Sequence, residues 1–362
     1  MQKVRIVDIA KELGVSTATV SNVIHGKTKK ISDATVKRVQ KLLEERQYIP
    51  SMAGLLLAQN DSPIIGVVIN AHSKYEGRVL EDPFIASSLN ALSREIEKAH
   101  RFMMLKTTTN LTDIVKFASM WNMQGMIIIG FCQDEYSHLR QFMRIPFMVY
   151  DGFYTQELEQ QGLCHLTIND YDGGKQVGQY LKQLGHKRAL CISDNNICMD
   201  AQRIQGFQDG FGGENTDLLI IPPSKIQRRE FYEQQLSYIK EHTAVFAVSD
   251  YYAIDFMQFV QEKGLKIPQD ISLAGFDDTP ICQQIVPTLT SVRQDAASRA
   301  SHALTALKSL IQREPVASPI ILPVQLIPRN STAPLKQLEF CQNFIKGYAF
   351  NLLCFINFYL KI

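Results

Sequence analysis

Nine short apolar runs between residues 62 and 333 constrain the fold more than any other feature of this sequence. Amphipathic segments with helical periodicity fill most of the intervals between them. This alternation predicts βαβ units and a parallel sheet covered on both faces. Nine strands fit two doubly wound subdomains better than one sheet. The runs are Ile64–Ile69, Phe102–Leu105, Met126–Ile129, Phe147–Tyr150, Leu166–Ile168, Ala189–Ile192, Leu218–Ile221, Val245–Val248 and Ile271–Ala274.

The first 48 residues have a different pattern, which predicts three short helices. Apolar residues at helical spacing over 6–13 are followed at once by Gly14, which suits a sharp turn. The next helices are expected from Thr17 to Ile24 and from Asp33 to Arg46. Ser16 and Ser32 are their N-caps. The segment is therefore expected to be an all-α unit with a helix-turn-helix at its start.

Charge is unevenly distributed along the chain. Residues 1–60 contain ten Lys and Arg against five Asp and Glu, whereas the whole chain has a formal net charge of +2. A basic module on a slightly acidic body suits contact with a polyanion such as nucleic acid. A basic surface that is only solvated gives the same count, so charge alone leaves both interpretations open.

The outer side of the predicted second helix carries small and polar residues that suit the major groove of DNA. Asn22 is able to bond adenine through two hydrogen bonds, and Thr17 offers a methyl group to thymine. The alternative is an ordinary three-helix bundle with a polar face. The candidate DNA-contacting residues of this unit are Arg5, Ser16, Thr17, Ala18, Ser21, Asn22 and His25, with phosphate contacts expected from Arg5, His25 and the Lys27–Lys30 loop.

An ordered series of short motifs resembles the lactose-repressor/galactose-repressor (LacI/GalR) family of transcriptional regulators. The resemblance covers about residues 4 to 333. In the N-terminal unit it rests on Val7-Asp8-Ile9-Ala10, Gly14-Val15-Ser16, Ala18-Thr19-Val20-Ser21, Ile31-Ser32 with Thr35, and Tyr48-Ile49-Pro50. In the body it rests on Leu184–Arg188, Arg203–Phe207, Ser249-Asp250, Ile267–Ser272, Gly275–Asp278, Pro287–Thr290 and Arg329–Thr332.

The resemblance implies a homodimer, or a higher oligomer, that binds near-palindromic double-stranded operator DNA and represses transcription. It also implies a periplasmic-binding-protein-like α/β core. The expected domains are a headpiece (1–50), a hinge helix or linker (51–61), a core (62–333) and an atypical hydrophobic tail (334–362). Within the core, the first subdomain is expected at about 62–164 and 293–321, and the second at about 165–292 and 322–333.

In this family the hinge helix inserts a leucine into the minor groove, and Leu57 matches that position. An apolar wedge at a base step bends the duplex. Core packing of Leu55–Leu57 is the alternative. Two departures bear on DNA binding. Gly54 and Leu55 stand where the family often has Ala-Arg, and Gly54 lowers helix propensity by about 1 kcal/mol relative to Ala. Asn22 stands where several members carry Arg, so the operator sequence does not transfer.

Polar residues that follow predicted strands indicate a ligand-binding cleft, because such folds bind ligands beyond the carboxyl ends of strands. Asp151, Ser249, Asp250 and Asp277 stand at such ends. The resemblance adds Arg203 as a cleft residue and Phe84 as a stacking platform, with Phe231 as a second. Each also has a structural interpretation: the aspartates as turn or helix caps, Arg203 as a partner of Asp200, and the rings as core. Several carboxylates with one guanidinium favour a neutral sugar or glycoside as effector.

Other classes of protein lack their sequence signatures here. No nucleophile elbow, phosphate-binding loop or H-E-x-x-H pair occurs, so neither an enzyme nor a cofactor or metal is expected. Seven scattered cysteines without a Cys-x-x-Cys pair favour reduced thiols, and the N-terminus lacks a signal-peptide pattern, so a cytoplasmic location is expected. The rival interpretations are a solute-binding protein and a sugar-modifying enzyme of the same α/β fold.

The last residues, 335–362, are unusually apolar and aromatic. An irregular extension is the first interpretation, an assembly helix the second and membrane contact the third. The uncharged stretch between Lys346 and Lys361 has 14 residues, short of the ~20 needed to span a bilayer. No membrane partner is expected.

Overall fold

Three short helices form the N-terminal unit of the computed structural model, which describes residues 4–48, 62–131, 133–152 and 163–335. They are α1 (Ile6–Leu13), α2 (Thr17–Ile24) and α3 (Asp33–Glu45), which confirms the three predicted helices. Gly14 has a φ of 66° at the turn between α1 and α2. The helices share a small core of Ile9, Ala10, Val20, Val23, Val39 and Leu42.

The predicted caps of α2 and α3 are confirmed. The Ser16 Oγ accepts a hydrogen bond from the Thr19 N–H at 3.1 Å, and the Ser32 Oγ accepts one from the Thr35 N–H at 3.4 Å. Each bond satisfies one of the free N–H groups at a helix start. The predicted hinge at 51–61, with Leu57, lies outside the described residues, as does almost all of the tail.

The core, residues 63–335, contains two six-stranded sheets. Its strands are β1 (Ile64–Asn70), β2 (Phe102–Thr108), β3 (Gly125–Ile129), β4 (Phe147–Tyr150), β5 (Cys164–Ile168), β6 (Ala189–Ser193), β7 (Thr216–Ile220), β8 (Ala244–Ala247), β9 (Ser272–Asp277), β10 (Thr290–Arg293), β11 (Ile320–Leu322) and β12 (Gln325–Ile327). Its helices are α4 (Pro83–Lys98), α5 (Leu111–Met120), α6 (Gln133–Phe142), α7 (Asp170–Gln183), α8 (Cys198–Phe211), α9 (Lys225–Ile239), α10 (Asp250–Glu262) and α11 (Ala296–Gln312). All nine predicted strands are confirmed.

In each sheet the first strand, β1 or β6, lies between the next two strands of the chain, so the chain winds to both sides of it, as in doubly wound folds. The first sheet has the order β11-β5-β4-β3-β1-β2 and the second β12-β10-β9-β8-β6-β7. All pairs are parallel except β10 with β12. In the first sheet Val67 pairs with Leu105 of β2 and Ile127 of β3, and all of β1 is buried. The two predicted doubly wound subdomains are therefore present.

The chain passes between the two sheets three times, after β5, after β10 and after β11. The expected boundary near Cys164 is wrong, because β5 pairs with β4 and β11 in the first sheet. The first passage therefore follows Ile168. Helix α11 returns to the first sheet, where it packs against α4 and β3 to β5. Within the described ranges, no helix combines the length and apolarity needed to cross a bilayer.

Candidate ligand cavity and nucleic-acid interface

A cavity of about 220 Å³ lies between the two subdomains at the carboxyl ends of their strands. The first subdomain contributes side chains from the ends of β3 and β4, the start of α4 and the loop after β1. The second contributes side chains from the ends of β6, β8 and β9 and from α8. The polar and aromatic residues that line the cavity, from both subdomains, are His72, Lys74, Tyr75, Asp82, Phe84, Phe131, Asp151, Asp194, Asn195, Asp200, Arg203, Ser249, Tyr251, Tyr252, Asp277 and Gln294.

Arg203 is held rigidly in the wall of this cavity. Its Nε donates to Asp170 Oδ1 at 2.7 Å, and its Nη1 donates to the Val248 carbonyl oxygen at 2.9 Å. The guanidinium carbon lies 3.9 Å from the centre of the Phe276 ring, a cation–π contact. Its Nη1 is also 3.9 Å from Asp277 Oδ1 and 4.0 Å from Asp200 Oδ1. The expected partner Asp200 is thus secondary, and Asp170 is the main one.

Two close-packed helices fix Arg203 against Asp170. Helix α7 begins at Asp170, helix α8 carries Arg203, and their glycines face each other. A β-carbon on Gly206 would overlap the Tyr171 carbonyl oxygen, and one on Gly174 would overlap the Arg203 carbonyl oxygen. The helix backbones are therefore in direct contact. This contact sets the distance between the arginine and its carboxylate.

Asp151 is paired with an arginine from the returning helix α11. The Arg299 Nη2 donates to Asp151 Oδ1 at 2.7 Å, and the Arg299 side chain is 1% exposed. Burial alone would raise the pKa of Asp151, but the positive charges of Arg299 and Arg203 outweigh it and lower that pKa. Asp151 is therefore a stable negative charge at the cavity wall. Its φ of 64° lies in the left-handed region, which Asp tolerates better than most residues.

Asp277 and Asp278 point to opposite sides of their strand end. Asp277 lines the cavity and accepts a hydrogen bond from Gln294 Nε2 at 2.6 Å. Burial raises its pKa well above the ordinary value, Arg203 opposes that shift, and nearby carboxylates such as Asp250 add to it. Asp278 instead forms ion pairs with Arg293 at 2.7 Å and Arg329 at 2.5 Å. Asp277 is thus the ligand-facing member of the pair.

Five of the seven predicted cavity residues line the cavity: Phe84, Asp151, Arg203, Ser249 and Asp277. The placement of Asp250 there is wrong. Its carboxylate is fully buried and accepts hydrogen bonds from Thr279, Cys282 and Ser291, so it joins α10 to the loop after β9. The placement of Phe231 is also wrong, because it is not a lining residue of the cavity and instead packs from α9 against the hydrophobic core.

Several lining residues were not predicted. Asp194 and Gln294 follow β6 and β10, so the strand-end rule that found Asp151 points to them as well. Asp82 is the N-cap of α4, where its Oδ1 accepts the Ile85 N–H at 3.0 Å. Lys74 lies in the loop after β1. Arg299 and Asp170 lie behind the wall and carried no sequence signal, because only the folded chain brings α11 and α7 there.

The exposed side of α2 has the expected character of a DNA-reading surface. Thr17, Ala18 and Asn22 are exposed, Ser21 is half-buried, and Val20 and Val23 pack inward. The Asn22 backbone carbonyl oxygen accepts a hydrogen bond from the Lys27 N–H at 2.8 Å, whereas its side chain makes none within the described headpiece, so its carboxamide is available to bind a base.

The other predicted DNA contacts already have structural partners. The Arg5 backbone N–H donates to Asp8 Oδ2 at 2.9 Å and its side chain also bonds Asp8, yet that side chain remains 73% exposed. Ser16 is engaged as the N-cap of α2, and His25 is the C-cap residue. These positions therefore have a structural role in addition to any contact with phosphate.

A helix-turn-helix unit and a two-sheet core with a cavity at the strand ends together define the class of ligand-responsive DNA-binding regulators. The comparisons agree. Residues 5–51 match the model "Bacterial regulatory proteins, lacI family", and residues 179–332 match "Periplasmic binding protein-like domain". Residues 5–51 thus form a DNA-binding unit of the lacI type, the chain is similar to LacI-family regulators along most of its length, and it is a DNA-binding transcriptional regulator.

Individual relatives extend this similarity over most of the chain. The HTH-type transcriptional regulator DegA of Bacillus subtilis is 27% identical over 347 residues, which cover 92% of this chain and 99% of DegA. The Lac repressor dimer bound to operator and the anti-inducer ONPF has a TM-score of 0.78 at 21% identity, covering 92% of this chain and 100% of that one. The CelR–cellobiose complex has a TM-score of 0.64 at 19% identity, covering 91% and 100%.

Proposed function

We propose that this protein is a repressor controlled by a small polyhydroxylated effector, which binds in the cavity between the core subdomains. It acts as a homodimer on a near-palindromic operator, in the cytoplasm where the DNA is. Its role is binding rather than catalysis. The boundaries near residues 50, 61 and 333 divide it into headpiece, hinge, core and tail.

The observation that carries the proposal is the convergence of charged side chains from both subdomains on one cavity. Asp151 comes from the first subdomain, and Arg203 and Asp277 come from the second. A ligand that bonds to all three favours one relative angle of the subdomains over others. A ligand shifts an equilibrium only through such a difference in affinity, so this cavity is suited to control.

The chemistry of the lining supports a ligand rich in hydroxyl groups. Carboxylates accept hydrogen bonds and a guanidinium donates them, so together they serve both roles of a hydroxyl. Phe84 and Ser249 add an apolar face and a further hydroxyl. The volume of about 220 Å³ is below the roughly 300–1,000 Å³ of pockets for drug-sized ligands, which favours a ligand of one ring.

We further propose that α2 reads bases through Thr17, Ala18, Ser21 and Asn22. Arg5 and His25, together with the free N–H groups at the start of α2, contact phosphate. Leu57 enters the minor groove at the centre of the operator, as the family resemblance implies. The headpiece supplies specificity, and the core supplies control.

The experiment begins with selection of bound duplexes from a random pool, which gives an operator for fluorescence anisotropy. Sugars that release this operator are then titrated against the Asp277→Asn variant, in which the side-chain oxygen still accepts from Gln294. A loss of response of at least tenfold with unchanged operator affinity supports the proposal. The control is Glu214→Gln at an exposed position outside the cavity. An unchanged response in Asp277→Asn contradicts the assignment of the cavity.

A further inference from the structure

The lining of the cavity has a large excess of negative charge. Five aspartates and two basic side chains line it; they are Asp82, Asp151, Asp194, Asp200, Asp277, Lys74 and Arg203. Behind the wall, Arg299 and Asp170 add one charge of each sign. Burying unpaired charge is costly, so an excess of this kind calls for a proton or a bound cation.

Most of the excess negative charge comes from three aspartates whose charges act on Lys74. They are Asp82, Asp194 and Asp200, and we call them the open triad. Within the described residues, no ion pair of 4.0 Å or less joins Asp82, Asp194 or Lys74 to an opposite charge, and Asp200 reaches Arg203 only at 4.0 Å. By contrast, Asp151 and Asp170 each have an arginine at 2.7 Å. The arginines thus pair mainly with Asp151 and Asp170, and within the open triad Arg203 reaches only Asp200.

The hydrogen bonds of the open triad come from neutral donors. The Asn195 Nδ2 donates to Asp194 at 2.9 Å and to Asp200 at 2.8 Å, and the Ile85 N–H donates to Asp82. Burial raises the pKa of Asp82, which the Ile85 N–H and Lys74 only partly oppose, and it raises the pKa of Asp200, which Arg203 and Lys74 only partly oppose. The Tyr252 hydroxyl also bonds Asp194 and the Phe84 N–H also bonds Asp82, so these hydrogen-bond donors of the open triad are all neutral.

The open triad also spans the cleft. Asp82 belongs to the first subdomain, whereas Asp194 and Asp200 belong to the second. Like charges that face each other across a cleft oppose its closure, and a cation between them favours it. The charge of the ligand would thus contribute directly to the angle between the subdomains.

We propose that the effector carries a protonated amine on its polyhydroxylated ring, an amino sugar in chemical class, and that Asp82, Asp194 and Asp200 bind this ammonium. Arg203, Asp151 and Asp277 bind the ring hydroxyls. The inference rests on the proposed function and refines it. It departs from the neutral sugar that the sequence favoured, because the charge balance between Lys74 and the open triad depends on how the folded chain brings these residues together.

A metal ion is a poorer occupant than an ammonium. In the described part of the chain, no three His, Cys, Asp or Glu residues are grouped closely enough to hold a metal. An ammonium has three N–H donors in a spread arrangement, so it suits three separated carboxylates. Charge-assisted hydrogen bonds of this kind are roughly twice as strong as neutral ones.

The test uses matched trios of probes with the full-length protein and isothermal titration calorimetry at pH 6.5, where the amine is protonated. Each trio contains an amino hexose, its parent hexose and its N-acetyl derivative, in the gluco, galacto and manno series. At least one amino hexose is expected to bind ten or more times tighter than both relatives. In Asp194→Asn/Asp200→Asn this preference is expected to fall below threefold. The control Glu214→Gln keeps it, and thermal unfolding verifies that both variants fold.

The outcomes separate this inference from the proposed function. A parent or N-acetyl hexose that binds as tightly as its amine and releases the operator overturns the inference and leaves the proposed function standing. Absence of binding by every amino hexose overturns the inference, as does a preference that persists in the double Asn variant. The proposed function itself fails if Asp277→Asn retains the full response to a releasing ligand.

Discussion

Replacing Arg203 with Ala should damage the core and the response to effector together. The pair of Arg203 and Asp170 is almost completely buried, with the two side chains 7% and 2% exposed. Removing one member of a buried pair leaves an uncompensated charge, at a cost of about 3–5 kcal/mol. Even with its arginine present, burial raises the pKa of Asp170 to about 6. The same change removes a donor from the Val248 carbonyl oxygen.

A neutral double variant separates the two effects. In Arg203→Met/Asp170→Asn neither member of this pair is charged, so we expect at least about 2 kcal/mol of the lost stability to return. Urea unfolding, followed by the fluorescence of Trp121, the single tryptophan of the chain, measures the stability of the wild type, the two single variants and the double variant. The double variant should bind the operator normally and still fail to respond to a releasing ligand. A coupling below about 0.5 kcal/mol, or an intact response in the double variant, would refute this reasoning.

Three further predictions concern other parts of the molecule. Burial lowers the pKa of His165 to about 4 from 6.5, so unfolding takes up a proton between these values and the free energy of unfolding decreases as the pH falls. His165→Phe should remove about 2 kcal/mol of the loss of stability expected between pH 7 and pH 5 in urea titrations. An equal sensitivity to acid in the variant would contradict this prediction. Gly206→Ala should lower unfolding free energy by about 1–3 kcal/mol and weaken the effector response, whereas Gly213→Ala, which has open space around it, should change neither. Asn22→Ala should relax base preference at one operator position by about 1–3 kcal/mol in a selection experiment; a uniform loss of affinity would show that Asn22 is not a base reader.

Local signals explain what the sequence predicted well. Ser16 and Gly14 define the limits of α2 and α1 through caps that involve neighbouring residues only. The buried strands are continuous apolar runs, and their order along the chain is enough to predict two doubly wound subdomains. Three strands escaped prediction: β10 because it has four residues of which only one is apolar, and β11 and β12 because each has three residues, with Pro319 and Pro323 flanking β11.

Contacts between distant segments explain what could not be predicted. The strand-end rule located Asp151, Ser249 and Asp277, but it does not give the direction of a side chain, and so Asp250 was misplaced. Arg299 reaches the cavity wall only because α11 returns to the first sheet after the second is complete. Lys74 lies in a single 3₁₀ turn, Ser73–Tyr75, which is too short to leave a periodic pattern in the sequence. The charge balance of the site therefore became visible only in the folded molecule.

The central claim is that the outer side of α2 reads DNA sequence under the control of the cavity. The most direct test is selection from a pool of random duplexes by the full-length protein, repeated with each amino hexose present. The account predicts enrichment of one near-palindromic site and loss of that enrichment with an effector that Asp277→Asn no longer senses. Equal, salt-sensitive binding to every duplex, unaffected by any of these compounds, would contradict it.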